Sequence, residues 1–125
     1  MTPDDVLESH RTMLTDIGET VTVRRYAGRG ASRAVSAEAD ALGRVLGYQP
    51  KDIAGAIQQG DRRVILLNDP TAAVAPGKVS VSDLLPLTNL DVVVVRGAEV
   101  QIIGVDDSTR RIGGVLVALE LQVRG

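Results

Sequence analysis

Few side chains in this 125-residue chain have the types and spacing from which catalysis is built. His10 is the only histidine, set among Val6, Met13, Leu14 and Ile17. No acid stands at a spacing that would orient it as a general base or as part of a nucleophilic triad, so a packed helix residue is the simpler reading. The Gly-x-Ser-x-Gly turn that presents a hydrolase nucleophile does not occur. Gly28-Arg29-Gly30-Ala31-Ser32-Arg33 begins like a dinucleotide fingerprint, but Arg33 stands where the third glycine is required and no strand–helix–strand unit surrounds it. Gly77-Lys78 is followed by Val79 rather than a hydroxyl residue, which breaks the phosphate-cradling pattern. Asp61, Asp91, Asp106 and Asp107 are of the type that holds hard cations, yet they fall at hairpin ends, where aspartate commonly stabilises a turn through its own backbone. With no cysteine there is no disulfide, thiolate metal site or thiol nucleophile. These residues describe a protein that is not an enzyme, with no catalytic residue, no cofactor and no metal.

The elements that would position any site begin with a helix over 3–17. Thr2 is suited to its N-cap, Pro3 to the first turn, Asp4 and Asp5 to the positive end of its dipole, and Gly18 to its stop. Val6, His10, Met13, Leu14 and Ile17 form its apolar face. After Glu19 the period changes to two, with Val21 and Val23 opposite Thr20, Thr22 and Arg24, which predicts a strand. Residues 27–36, AGRGASRAVS, have no apolar periodicity and read as a mobile loop. EADALGRVLGY at 38–48 reads as a glycine-interrupted strand or a short helix, the strand being preferred, with Pro50 ending it. Arg62 to Leu67 is a strand. Residues 68–89, with three prolines, form a connection longer than routine ones. LDVVVV at 90–95, a turn at 96–98 and EVQIIGV at 99–105 make a β-hairpin. A polar turn at 106–111 leads to a last strand in which Val115, Val117, Leu119, Leu121 and Val123 face the core. The expectation is one mainly β domain over 1–125: a small antiparallel barrel or sandwich of five to six strands, spanning 20–125, behind an N-terminal helix.

Composition narrows the function. Two Tyr, no Phe and no Trp leave almost nothing on which single-stranded nucleic acid could stack, and a net charge of −2 disfavours the counterion-releasing surface that duplex DNA requires. The start, Thr2-Pro3-Asp4-Asp5, is not a basic segment followed by an apolar one, and no apolar run approaches the roughly 20 residues of a membrane span, so a soluble product without a secretory signal is expected.

Leu90-Asp91 opening a strand, Gly97 at a tight turn, Val100 to Val105, a polar turn and a strand closing on Arg124-Gly125 resemble the ending shared by small head-to-tail joining proteins of long-tailed bacteriophages. This is the stopper or head-completion family that includes lambda-type attachment proteins. The upstream order is similar as well: a leading helix, VTVRR, then GYQP and QGDRRVIL before the long loop. The resemblance implies a virion protein of the phage neck, made in the host bacterial cytoplasm. It implies a β-barrel that forms a ring, a dodecamer in the family, between portal and adaptor proteins on one side and the tail on the other. Such a ring helps to retain DNA, which passes through without sequence-specific binding, and it has no membrane association. The family has no catalytic residues to carry over. An acidic conduit agrees with DNA that must slide.

The expected assembly contacts lie in the two irregular segments. Arg29 and Arg33 would meet acidic neighbours, and Val79, Val81, Leu84, Leu85 and Leu87 would offer an apolar surface to an adjoining subunit, both segments being mobile until a partner orders them. Two other readings compete: another phage neck or tail piece such as a tail terminator, and a small-ligand-binding β-barrel, which the scarcity of aromatics disfavours.

Overall fold

In the computed structural model, which describes residues 2–49, 51, 55 and 57–125, the N-terminal helix α1 runs Pro3–Ile17 as its spacing predicts. The Thr2 hydroxyl accepts from the Asp5 N–H at 3.2 Å while the Thr2 N–H donates to Asp5 Oδ2 at 3.0 Å, so each end of this capping box satisfies an otherwise orphaned donor. Gly18 closes the helix, its N–H donating to the Leu14 carbonyl at 2.9 Å. A Cβ on Gly18 would lie 2.5 Å from the Gly43 carbonyl oxygen, which is why the chain enters the sheet at a glycine.

The strands are β1 (Glu19–Ala27), β2 (Ala34–Gly47), β3 (Arg62–Leu67), β4 (Val92–Val95), β5 (Ala98–Asp106), β6 (Arg111–Ile112), β7 (Val115–Leu116) and β8 (Ala118–Arg124). Six of them close into an antiparallel barrel in the order β1-β2-β3-β8-β5-β4, with β4 returning to pair with β1. The barrel expectation and the preferred strand reading of 38–48 are both met. Pro50 lies outside the described residues. β4 and β5 form the expected hairpin over Arg96-Gly97, both at positive φ (50° and 82°), the twist that a two-residue hairpin turn demands.

The interior is aliphatic: Val21 and Val23, Val64 and Leu66, Val93 and Val95, Val100 and Ile102, and Leu119, Leu121 and Val123 point inward by alternation. A six-stranded barrel is narrower than the eight-stranded kind whose side chains just fill it, so valine- and leucine-sized groups close it without aromatic rings. β3 departs from alternation because both of its faces are covered. Val64 and Leu66 enter the inner cluster, while Ile65 and Leu67 are buried outside it where α1 packs on β3, together with Leu14, Val117 and Ala118. Among the described residues no helix is long and apolar enough to cross a membrane.

Three sequence expectations are corrected. The 27–36 loop is shorter, since β1 and β2 stay paired through Ala27↔Ala34 and only a 3₁₀ turn at Gly30–Ser32 with its flanks is irregular. The alternation of Ala34, Val35 and Ser36 is too weakly apolar to register as a strand. Val115 does not face the core. It is half exposed on a two-stranded hairpin, β6–β7, that turns at Gly113-Gly114 outside the barrel, and β8 begins only at Ala118. The third correction concerns 68–89, which is not a segment without a core of its own. Val81 and Leu84 sit on a one-turn helix, α2 (Val81–Leu84), and with Leu87 they are buried in the barrel's inner cluster.

Candidate functional site

The segment 68–91, here the arm, leaves β3 and is tied down along its length. Asn68 is buried, its N–H donating to the Val117 carbonyl at 2.9 Å and its amide Nδ2 to the Leu116 carbonyl at 3.0 Å, while its Oδ1 accepts from the Ser82 hydroxyl at 2.8 Å. Arg11 of α1 donates to Asp69 Oδ2 at 2.9 Å. Lys78 reaches Asp40 of β2 at 2.8 Å, and the Val79 N–H donates to the Glu38 carbonyl at 2.9 Å. Finally Asp91, almost wholly buried, accepts from Arg25 Nε at 2.8 Å and Nη2 at 3.1 Å and from the Thr88 N–H at 3.0 Å. Between these fastenings α2 packs on the inward face of β2, which is built from Ala37, Ala39, Ala41 and Gly43. Small residues on that face leave the width that Val81, Leu84 and Leu87 occupy, so the arm acts as a plug.

Of the expected contacts, the structure therefore brings Val81, Leu84 and Leu87 together inside the chain's own core, with Val79 and Leu85 half-buried against it. In this form Val81, Leu84 and Leu87 are covered by the chain itself. Arg29 and Arg33 lie elsewhere, exposed at the β1–β2 turn, with the Arg33 guanidinium stacked 3.8 Å from the centroid of the Tyr26 ring. The two halves of the expected contact set do not form one site. What the arm does enclose is a cleft of about 430 Å³ on the outside of the barrel, between α1, the Asp40–Leu42 stretch of β2 and the exposed bridge 71–77. Its walls are Leu67, Val79, Val81 and the alanines of the bridge, and its charged rim, Arg11–Asp69 and Lys78–Asp40, is already paired.

The remaining ionisable residues hold elements to one another. The Nδ1 of His10 lies 3.0 Å from the Val6 carbonyl, so it carries the proton and donates. That leaves Nε2 as a lone pair for Arg110 Nη1 at 2.9 Å, and Arg110 Nη2 donates in turn to Glu120 Oε1 at 2.9 Å. The imidazole thus clips α1 to the β6 hairpin and β8. Asp61 is buried and receives Arg124 in a fork, Nε to Oδ1 at 2.8 Å and Nη2 to Oδ2 at 2.9 Å, with the Gln58 N–H at 3.0 Å and Gln122 at 2.9 Å. The Arg124 fork, then the Gln58 N–H, hold its carboxyl far below the usual carboxylate range. Asp106 accepts from the Thr109 hydroxyl at 2.6 Å and from the Ser108 and Thr109 N–H groups at 2.9 and 3.0 Å, which lowers its pKa and makes it the turn-former its position suggested. On the outer wall Glu99 accepts from Tyr26 and from Arg24 at 2.7 Å, and those bonds keep it charged. Asp61, Asp91, Asp106 and Asp107 do not converge, and no group of three or more metal-ligating side chains forms among the described residues.

Comparison of the chain with family models, curated proteins and solved structures gave no match. Functional inference accordingly rests on the residues themselves. Sequence reasoning missed the arm's role as a plug. The signal was present in the period-two run of small residues Ala37, Ala39, Ala41 and Gly43, a strand face too slight to fill a barrel unaided. It missed the Arg25–Asp91 and Asp61–Arg124 pairs as well, whose partners lie more than 60 positions apart in the chain.

Proposed function

We propose that this chain is a non-catalytic structural subunit of a phage head-to-tail connector, a stopper or head-completion protein that assembles as a ring between portal or adaptor and tail. The observation that carries this reading is the plug. A barrel whose interior is packed by its own strand side chains, with the chain's own Val81, Leu84 and Leu87 completing that cluster, is a rigid building block rather than a ligand container. The element order of the resemblance, helix, VTVRR strand, long connection and closing strand, supports the connector in particular. The ionisable side chains agree in kind, since His10, Asp61 and Asp91 are each engaged in tying elements together and Asp106 in shaping a turn. A net charge of −2 with two aromatic residues suits a wall past which DNA slides.

The test is electron microscopy of the purified protein mixed with portal particles, with and without adaptor. The expected result is ring density capping the portal channel, and particles made without the protein lose DNA and fail to join tails. Absence of any portal or adaptor association, with normal DNA retention in such particles, would overturn the reading. The outer cleft favours a second reading, a small-ligand-binding barrel, because it is partly enclosed and mainly apolar. Thermal-shift screening with apolar small molecules separates the two, since saturable stabilisation lost on Ala73→Leu, on the exposed bridge, would favour the ligand.

A further inference from the structure

β1 and β2 remain paired beyond the point where the barrel releases them. β4 pairs with β1 only at Thr22, Val23 and Arg24, and β3 pairs with β2 only from Gly43 to Gly47, whereas the β1–β2 ladder continues to Ala27↔Ala34. Residues 25–37 thus form a two-stranded ribbon with no further strand on either edge among the described residues. Arg25 is held by Asp91 at its root, but Ala27, the turn 28–33, Ala34, Val35 and Ser36 are exposed. An exposed ribbon edge with an apolar residue on it is a surface that soluble proteins ordinarily blunt or cover.

The ribbon's charge is of one sign. Residues 25–37 contain Arg25, Arg29 and Arg33 and no acid. Asp91 neutralises Arg25, and Arg33 lies over Tyr26 where the Glu99 carboxylate partly offsets it, while Arg29 forms no ion pair among the described residues. Val35, 43% exposed, stands beside them.

The opposite sign lies on the outer face of α1. Asp4, Asp5, Glu8 and Asp16 are exposed there, and Arg11 is the helix's only arginine or lysine. Asp5 is occupied by the Thr2 cap and Glu8 by Arg11, which leaves Asp4 and Asp16 without an ion-pair partner among the described residues. Next to Asp16 is Ile17, 49% exposed, so this face too has an apolar residue beside an uncompensated charge.

One molecule cannot join these patches. Asp16 and Ile17 sit at the base of β1, whose nine residues carry the chain roughly 25–30 Å away to the ribbon tip at about 3.3 Å per residue. From that base α1 crosses β3 towards β8, as the Arg11–Asp69 and His10–Arg110–Glu120 contacts fix, and so leads away from the ribbon. A basic patch and an acidic patch, each with an exposed aliphatic residue and each on a different end of the same chain, are complementary only between copies.

We propose that the β1–β2 ribbon of one copy docks on the α1 face of the next, with Arg29 and Arg33 against Asp4 and Asp16, and Val35 against Ile17. This rests on the ring reading above and names its subunit contact. Because the two patches differ, the contact is head-to-tail, and repetition either closes into a ring or propagates as a filament. Rim charges of this kind act through steering and register and are screened by salt.

Sedimentation velocity on the whole chain tests the contact, using a ribbon variant (Arg29→Glu with Arg33→Glu), a helix variant (Asp4→Asn with Asp16→Lys) and an equimolar mixture of the two. Circular dichroism melting serves as the folding control. The parent is expected to self-associate, and to do so more weakly as salt rises from about 0.05 to about 0.5 M. Each variant alone should lose at least about tenfold in association constant, a loss of the size expected when complementary charges are reversed. The mixture should regain association beyond either variant alone, because the intact ribbon of one meets the intact helix face of the other and the reversed ribbon is itself complementary to the Asp16→Lys face. A folded ribbon variant that assembles like the parent overturns the contact and leaves the ring reading standing. A parent that stays monomeric in solution yet forms rings on portal particles does the same. A parent that neither self-associates nor binds portal overturns both.

Discussion

Replacing Leu84 by Ala tests whether the arm belongs to the folding core. Leu84 is 3% exposed and lies in the inner cluster with Val81 and Leu87. The substitution removes three buried carbon atoms, worth about 2.4 kcal/mol at about 0.8 kcal/mol each. The void left between α2 and the small-residue face of β2 cannot collapse fully, because the arm is fastened on both sides, at Asn68 and at Asp91. That adds a cavity contribution and brings the expected loss to about 3–4 kcal/mol, within the range of roughly 2–5 for buried leucines. For a domain of this length, each kcal/mol shifts the midpoint by about 3–6 °C, so Tm should fall by roughly 10–20 °C. The assay is thermal melting by circular dichroism with amide hydrogen exchange read in parallel. In the parent, the Asn68 and Val79 amides, which donate to Val117 and Glu38, should exchange slowly in the free subunit. In Leu84→Ala they should exchange faster than amides of β8. A variant that melts within about 2 °C of the parent, or parent amides at Asn68 and Val79 that exchange as fast as an unstructured loop, would refute the plug and restore the arm as a loose segment.

Two further outcomes follow from the same packing. Leu119→Ala and Leu121→Ala should each lose roughly 2–5 kcal/mol in urea unfolding, whereas Val115→Ala, half exposed on the outer hairpin, should stay within about 0.5 kcal/mol of the parent; equal effects at 115 and 119 would mean that the last strand starts where the alternation starts. The lowered carboxyl groups of Asp61 and Asp106 make stability depend on acid: their contribution is fully present above the unfolded-state value of about 3.9 and is lost as pH falls from there towards the folded-state values, because the unfolded chain binds those protons first. The urea midpoint of the parent should therefore fall between about pH 4.5 and about pH 2.5, more steeply than that of Asp61→Asn, and parallel curves would remove Asp61 from the account.

Much of the fold was legible in the chain because local physics determined it. Thr2, Pro3, Asp5 and Gly18 mark both ends of α1, and each acts on backbone groups within four residues. Alternation around Val21 and Leu121 revealed strands because a half-buried strand must alternate wherever one face meets water, and the β-branched apolar runs at 62–67, 90–95 and 99–105 revealed the others. The absence of Phe and Trp was legible as an aliphatic core, and the narrow barrel accommodates it. What failed were the places where burial is decided by an element far away in the chain. Val81, Leu84 and Leu87 read as surface for a neighbour because nothing near them shows that Ala37, Ala39, Ala41 and Gly43 leave a vacant width on β2. Val115 continues the period of β8, yet Gly113-Gly114 turns it outward, so identical spacing ends on opposite sides of the barrel wall. Asp61 and Asp91 read as turn residues, and each does accept a turn N–H, but that Arg124 and Arg25 reach them across the barrel was not legible. The sequence by itself determined the N-terminal helix and the centres of the barrel strands, since hydrogen bonding and side-chain period are local. Only the tertiary structure decided which apolar residues are core and which charges are spoken for, since closing a barrel brings together strands whose separation along the chain carries no local signal.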